Sequence, residues 1–276
     1  SRNFHHYLCR QLKGGGMEIF MKYRETAVIT EQREIAEQIY SLWLHADDIA
    51  KEARPGQFVS VYCRDESRLL PRPISICEVD KESGRLRLVY RTAGAGTREF
   101  SGYGPGDALE LVGPLGNGFP LDKCYKKVLL VGGGIGVPPM VELAKWLPGE
   151  KMVVSGYRNG DLFLKEELSR NAALYIATED GSAGTKGNVL DAIRENRLEA
   201  DAIFACGPGP MLRALKAYAE EQGIDCYLSL EERMACGIGA CLACVCTSKD
   251  VDAHTNVKNK RICKDGPVFA AGEIEI

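Results

Sequence analysis

What this sequence lacks narrows it first. No apolar run approaches the roughly 20 residues that a helical membrane span requires. No charged n-region leads into an apolar h-region, so secretion is not expected and a cytoplasmic location is. Charge of one sign is not in excess. The net charge of -3 and pI of about 5.9 give no reason to expect a nucleic-acid or membrane-surface partner. Internal repeats and low-complexity tracts are missing, and no acid–base triad presents itself.

Cysteine is abundant, at 11 in 276 residues. Cys9, Cys63, Cys77, Cys124, Cys206 and Cys226 are scattered, whereas the other five fall between 236 and 263. Without a secretory signal this crowding favours a metal site over disulfides.

The length suits two domains or more. Short candidate strands fill the first part: Tyr23–Thr30, Ile39–Leu44, Gln57–Cys63, Ile74–Val79, Arg85–Arg91 and Ala108–Val112. Turn signals such as Arg54-Pro55-Gly56 and Glu82-Ser83-Gly84 bound them, which predicts a small antiparallel barrel. A helical stretch, Thr97–Tyr103, interrupts it. From about residue 125, strands alternate with helices: Lys127–Val131, Met152–Tyr157, Ala173–Thr178, Ala202–Ala205 and Asp225–Leu230 against Pro139–Trp146, Leu164–Arg170, Asn188–Asn196 and Pro210–Gln222. That rhythm predicts a parallel sheet with crossover helices. The fold class expected is therefore multi-domain β plus α/β. It comprises an N-terminal antiparallel barrel over 17–122, a parallel α/β domain over 123–230 and a small Cys-rich domain over 231–276. Residues 1–16 fit no element pattern; we expect a vector-derived or upstream-translated extension, with Met17 and Met21 both open as starts.

Cys236-x4-Cys241-x2-Cys244, completed by Cys263 after eighteen residues, has the spacing of plant-type [2Fe–2S] ligands. Gly237, Ile238, Gly239 and Ala240 fill the first gap, and small residues let backbone N–H groups approach a cluster. The competing reading is a zinc ribbon, which usually shows two Cys-x2-Cys pairs; here the second pair is missing. Cys246 lies two residues beyond Cys244, so in an extended segment it points to the opposite face and reads as a packed thiol.

Arg72-Pro73-Ile74-Ser75 opens a candidate strand. Its guanidinium can bind a pyrophosphate bidentately and its hydroxyl can reach a flavin ring edge. Val89-Tyr90-Arg91 ends another strand, and Gly94-Ala95-Gly96-Thr97 opens the short helix with N–H groups free for phosphate. Val128–Val131 runs into Gly132-Gly133-Gly134-Ile135-Gly136, which suits a dinucleotide although the last glycine of a strict G-x-G-x-x-G is missing. Cys206-Gly207-Pro208-Gly209-Pro210-Met211 ends a second strand in the same way. Cys206 reads equally as a neighbour of a nicotinamide ring and as a small buried hydrophobe.

Together these motifs resemble the ferredoxin–NADP reductase superfamily. The run Glu231–Cys244 with Arg261–Phe269 is similar, within it, to the electron transfer subunits of two-subunit, NAD-dependent dihydroorotate dehydrogenases. The resemblance covers nearly everything from Met21 onward. It implies FAD at Arg72–Ser75, Val89–Arg91 and Gly96–Thr97, a [2Fe–2S] cluster on Cys236, Cys241, Cys244 and Cys263, and NAD as electron acceptor, in pyrimidine biosynthesis. It also implies a partner, an FMN-containing catalytic subunit that oxidises dihydroorotate, in a heterotetramer of two plus two. Arg158 after the second α/β strand leaves NADP open, whereas Glu166 and Glu167 favour a free ribose hydroxyl. Two alternatives stand beside this: the small subunit of a ferredoxin–NAD(P) oxidoreductase complex, and a non-enzymatic zinc-stapled binding module.

Overall fold

Alternating apolar side chains between turn residues fold the first part of the chain into a closed barrel. The computed structural model describes residues 7–13, 16–251 and 256–276, with side chains from Lys22 onward. Strands β1 (Tyr7–Lys13), β2 (Gly16–Ala36), β3 (Ile39–His45), β4 (Phe58–Val61), β5 (Arg72–Asp80), β6 (Arg85–Arg91) and β7 (Ala108–Leu115) pair in the order β1-β2-β3-β6-β5-β4-β7. A further β2–β7 pairing closes a six-stranded antiparallel barrel. Ile29, Leu42, Leu44, Ile76, Leu86, Leu88, Leu109 and Leu111 are buried inside it. Closure removes the exposed sheet edges that short strands otherwise leave.

Helix α1 (Asp47–Glu52) was not foreseen. At six residues it is shorter than the window in which helical periodicity shows, although Asp47 and Asp48 place negative charge at its positive end. Helix α2 (Ala95–Phe100) lies where a helix was expected. The segment 1–16 departs from expectation: β1 pairs in antiparallel register with 16–22. Gly14-Gly15 between two extended runs is a hairpin signal that the reading passed over; residues 1–6 and 14–15 lie outside the described residues.

The α/β part follows the expected rhythm. It runs β8 (Lys127–Gly133), α3 (Pro138–Trp146), β9 (Glu150–Tyr157), α4 (Lys165–Ser169), β10 (Ala173–Thr178), β11 (Thr185–Lys186), α5 (Val189–Glu195), β12 (Ala202–Cys206), α6 (Gly209–Gln222) and β13 (Asp225–Ser229). The sheet order is β11-β10-β9-β8-β12-β13, all parallel. Chain order reverses between β8 and β12, and that reversal opens a crevice at the carboxyl ends of these two strands. The last segment adds β14 (Val245–Ser248), β15 (Asn259–Arg261), β16 (Val268–Ala270) and β17 (Ile274–Glu275). Strands β14, β15 and β17 make a small sheet of their own, while β16 pairs antiparallel with β13 on the edge of the parallel sheet. These three-residue to four-residue strands escape a periodicity reading.

Barrel and α/β part meet through buried charge. Arg87 is 3% exposed. Its Nη1 donates to Glu78 at 2.6 Å and to Glu167 of α4 at 2.9 Å, and its Nε donates to Ser41 Oγ at 2.8 Å. Lys145 of α3 reaches Glu78 at 2.6 Å, and Glu142 accepts from the Val79 N–H at 3.1 Å. Removing one member of such a set strands the others without partners. Arg87→Ala is expected to lower stability by about 3–5 kcal/mol, read as a fall in the urea midpoint. An unchanged midpoint would show that the network carries no stability.

Candidate functional site

Three loop systems converge around the barrel strand β4. Ser60 on β4 is paired with Pro73, and Phe58 with Ser75, so the Arg72–Ser75 motif lies directly beside it. A β-carbon on Gly96 would stand 2.8 Å from the Arg72 guanidinium carbon. Arg72 and the start of α2, 24 residues apart in sequence, therefore share one spot. The guanidinium also donates through Nη1 to the Leu70 carbonyl. Thr97 spends its hydroxyl on the helix start: Oγ1 accepts from Ala93 N–H at 2.9 Å and Gly94 N–H at 3.2 Å. Ile74 is buried in the barrel and Ser75 half-buried.

The Val89–Arg91 segment divides by face. Val89 is buried toward the α/β part with Cys77 and Val137. The Tyr90 ring turns the other way, into the barrel, stacking on Tyr40 at 5.8 Å and donating its hydroxyl to Gln32 at 3.1 Å. Arg91 is exposed, and its Nη2 would lie 3.5 Å from a β-carbon on Gly134. Gln32 itself went unremarked in the sequence. Its Nε2 donates to the Phe100 and Tyr103 carbonyls at 2.9 and 2.7 Å and so ties α2 to the barrel. A lone glutamine within a strand gives no signal of that kind.

At the crevice, the Gly132–Gly136 loop packs directly on Cys206–Met211. Cys206 pairs with Gly132 across β12 and β8. A β-carbon on Gly136 would overlap the Cys206 carbonyl oxygen and lie 2.6 Å from the Gly207 nitrogen; one on Gly133 would meet Met211 Sδ at 2.5 Å. Cys206 is half-buried at the strand end, and burial pushes its thiol up to about 12 against a lowering hydrogen bond with Ser229, so it is a neutral thiol. Glu167, considered for the ribose, is committed to Arg87 at 2.9 Å.

The Cys-rich loop seats on the same barrel strand. Gly237 and Gly239 both take left-handed backbone, with φ of +69° and +86°. A β-carbon on Gly237 would lie 2.7 Å from Ser60 Oγ. Around Cys236 the backbone points inward: Ala240 N–H donates to its Sγ at 3.3 Å, and Ile238 and Cys241 N–H also reach it. Burial works to raise this thiol, but those N–H groups outweigh it and bring it down to about 7. Cys263 goes the other way, pushed up to about 12 chiefly by burial and then by Cys244 beside it. The thiols thus fall into two interacting pairs, Cys236 with Cys241 and Cys244 with Cys263. Among the described residues no three His, Cys, Asp or Glu side chains surround one metal-ion position. Two thiol pairs suit a two-iron cluster, in which each iron takes two thiolates, better than a single tetrahedral zinc. Cys246 is half-buried on β14, paired in register with Lys260.

The 231–275 segment matches the family described as the iron–sulfur cluster binding domain of dihydroorotate dehydrogenase B. The dihydroorotate dehydrogenase B (NAD(+)) electron transfer subunit of Bacillus caldolyticus is 45% identical over 91% of this chain and 98% of its own length. The chain belongs to the family of these electron transfer subunits. That of Listeria monocytogenes serovar 1/2a is 46% identical over 90% of this chain and 97% of its own. Among solved structures, the NADH-dependent reduced ferredoxin-NADP oxidoreductase, studied for flavin-based electron bifurcation, matches with a TM-score of 0.82 and 33% identity, covering 90% of this chain and 89% of that one. The chain is therefore an oxidoreductase subunit with the expected barrel, α/β and cluster-binding parts. Among the described residues no helix is long and apolar enough to cross a membrane.

The tight loop junction yields a stability test. Gly136→Ala drives a methyl group into the Cys206–Gly207 backbone and is expected to cost about 1–3 kcal/mol, read by thermal unfolding. Gly209→Ala, whose nearest neighbour would be the mobile Arg213 Nη1 at 3.3 Å, is expected to change stability by under about 0.5 kcal/mol. Equal effects at both positions would refute the close packing of the two loops.

Proposed function

We propose that this chain carries electrons from the FMN of a dihydroorotate-oxidising catalytic subunit to NAD⁺, in a heterotetramer of two plus two within pyrimidine biosynthesis. Cys236, Cys241, Cys244 and Cys263 hold the [2Fe–2S] cluster. FAD is held at Arg72, Pro73, Ile74 and Ser75, at Val89, Tyr90 and Arg91, and at Gly96 and Thr97. Gly132, Gly133, Gly134 and Gly136 with Cys206 and Gly207 receive NAD. When bound, a flavin exchanges single electrons with an iron–sulfur cluster and a hydride with a nicotinamide, which joins the two regimes. Oxidation of dihydroorotate releases two electrons and two protons; formation of NADH takes up both electrons and one proton.

The observation that carries this reading is the position of β4. Gly237 of the cysteine loop packs on Ser60, and the neighbour of Ser60 across the ladder is Pro73. Neighbouring strands lie about 4.8 Å apart, so the two redox sites flank one strand. The residues contribute by holding groups: Arg72 offers a forked cation for pyrophosphate, the glycine loops offer backbone N–H groups, and Tyr90, whose ring is in the barrel core, has its backbone to offer.

Two tests follow. Cys→Ser at any of the four cysteines should remove the cluster's visible absorbance and uncouple NAD⁺ reduction from dihydroorotate in the complex with the partner. Full coupled activity without that absorbance would sink the proposed path. Gly96→Ala displaces only the end of the flexible Arg72 side chain, so it should leave folding intact while lowering flavin content after dialysis by about tenfold, read from flavin absorbance per chain; this assumes the loss of one charge-assisted contact worth about 1.5–3 kcal/mol. Unchanged flavin retention would remove Arg72 from the site.

The second reading, a small subunit of a ferredoxin–NAD(P) oxidoreductase complex, is favoured by the match over 90% of the chain to that solved structure. Assay of the chain with ferredoxin against assay with the dihydroorotate-oxidising subunit separates the two.

A further inference from the structure

We propose that Arg261 and Asp265 form a positioning clamp that holds the loop of Cys263 onto the loop of Cys236 and Cys241, and so sets how firmly the cluster is retained. The inference rests on the cluster reading above and concerns residues that are not themselves ligands.

Cys263 stands inside a tight turn. The Arg261 carbonyl accepts from the N–H groups of Lys264 at 3.1 Å, Asp265 at 2.7 Å and Gly266 at 3.3 Å. The Asp265 carboxylate closes the same turn from the other side. Its Oδ2 accepts from the Arg261 N–H at 2.7 Å and Nε at 3.0 Å, and its Oδ1 accepts from Nη2 at 3.2 Å. Both side chains are largely covered, at 13% and 21% exposed. This fork fixes the guanidinium plane, which a lone ammonium could not do.

The fork leaves Nη1 directed at the other ligand loop. It approaches the Gly239 carbonyl at 3.5 Å, in the gap between Cys236 and Cys241. Lys264 covers the same glycine: a β-carbon there would meet its Cβ at 2.7 Å. The Cys263 turn is otherwise joined to the cysteine motif through Cys244, by Ile262 N–H to the Cys244 carbonyl at 2.7 Å and Cys263 N–H to Cys244 Sγ at 3.4 Å. The backbone therefore ties Cys263 to its own pair member, and the Arg261 fork reaches across to the loop of the opposite pair. Closing a cluster between two thiol pairs requires both pairs to be held at a fixed separation. Loss of such supporting contacts typically costs 10- to 100-fold in metal affinity.

The test uses the full chain purified anaerobically with its cofactors and exposed to excess EDTA, following loss of cluster absorbance. Asp265→Asn and Arg261→Lys are both expected to lose the cluster at least about tenfold faster than the parent chain, with flavin content and thermal midpoint unchanged. Arg261→Lys keeps the charge and removes the fork, so parent-like retention in that variant overturns the proposal, as does parent-like retention in Asp265→Asn. Should Asp265→Asn not yield folded chain, Arg261→Lys decides. Variants that lose flavin together with the cluster also overturn the proposal, because the pair is then a general support of the fold. A parent chain that shows no cluster absorbance at all fails the cluster reading instead, which keeps the two failures apart.

Discussion

Strand β4 is the constraint on which the rest depends. It has four residues, all buried, and its ladder partners are β5 on one side and β7 on the other. So short a strand has no freedom to slip: a one-residue shift would turn Val59 and Val61 out of the barrel core and Ser60 into it. The register places Pro73 beside Ser60 and Ser75 beside Phe58. Phe58 and Leu115 in turn belong to the core that includes Cys244, Ile262 and Cys263. The barrel's own packing thereby sets where a flavin-binding motif and a cysteine loop stand relative to each other.

A second layer of attachment secures the cysteine segment from the side. Asn117 donates its N–H to the Gly266 carbonyl at 2.6 Å, and its Nδ2 to the Lys264 and Asp265 carbonyls at 3.2 and 2.9 Å. Gln57 Nε2 donates to Gly116 at 2.8 Å, so the loop that carries Asn117 is itself held to β4's approach. Leu230 N–H donates to the Pro267 carbonyl at 2.9 Å from the α/β side. The turn after Cys263 is thus gripped by barrel and nucleotide sheet together.

Much of this was legible in the residues. The α/β rhythm read true because its strands are continuous apolar runs bounded by glycine and proline; Ala173–Thr178 matches to the residue. The cysteine spacing and the glycines between Cys236 and Cys241 foretold the left-handed turns seen at Gly237 and Gly239. What stayed hidden was made by long-range contact. The meeting of Arg72 with Gly96, the seating of Gly237 on Ser60 and the reach of Arg261 to Gly239 depend on barrel closure, not on local pattern. Helix α1 and strands β14 to β17 were too short for a period to emerge. Glu167 was misleading for a related reason: a carboxylate near the expected ribose site was claimed by Arg87, 80 residues away in sequence.

Strand β16 carries a consequence of its own. An open sheet ends in a row of unpaired peptide groups, which invites another chain to add itself. Here the flank beside β13 is capped antiparallel through Tyr227–Ala270, Leu228–Phe269 and Ser229–Val268, by residues just past the last cysteine. The same short stretch that delivers a thiolate also blunts the sheet. Maturation and colloidal behaviour are thereby joined in one segment: a chain that has not yet gathered its iron holds its sheet guard less firmly, and insertion of the inorganic group doubles as protection against self-association.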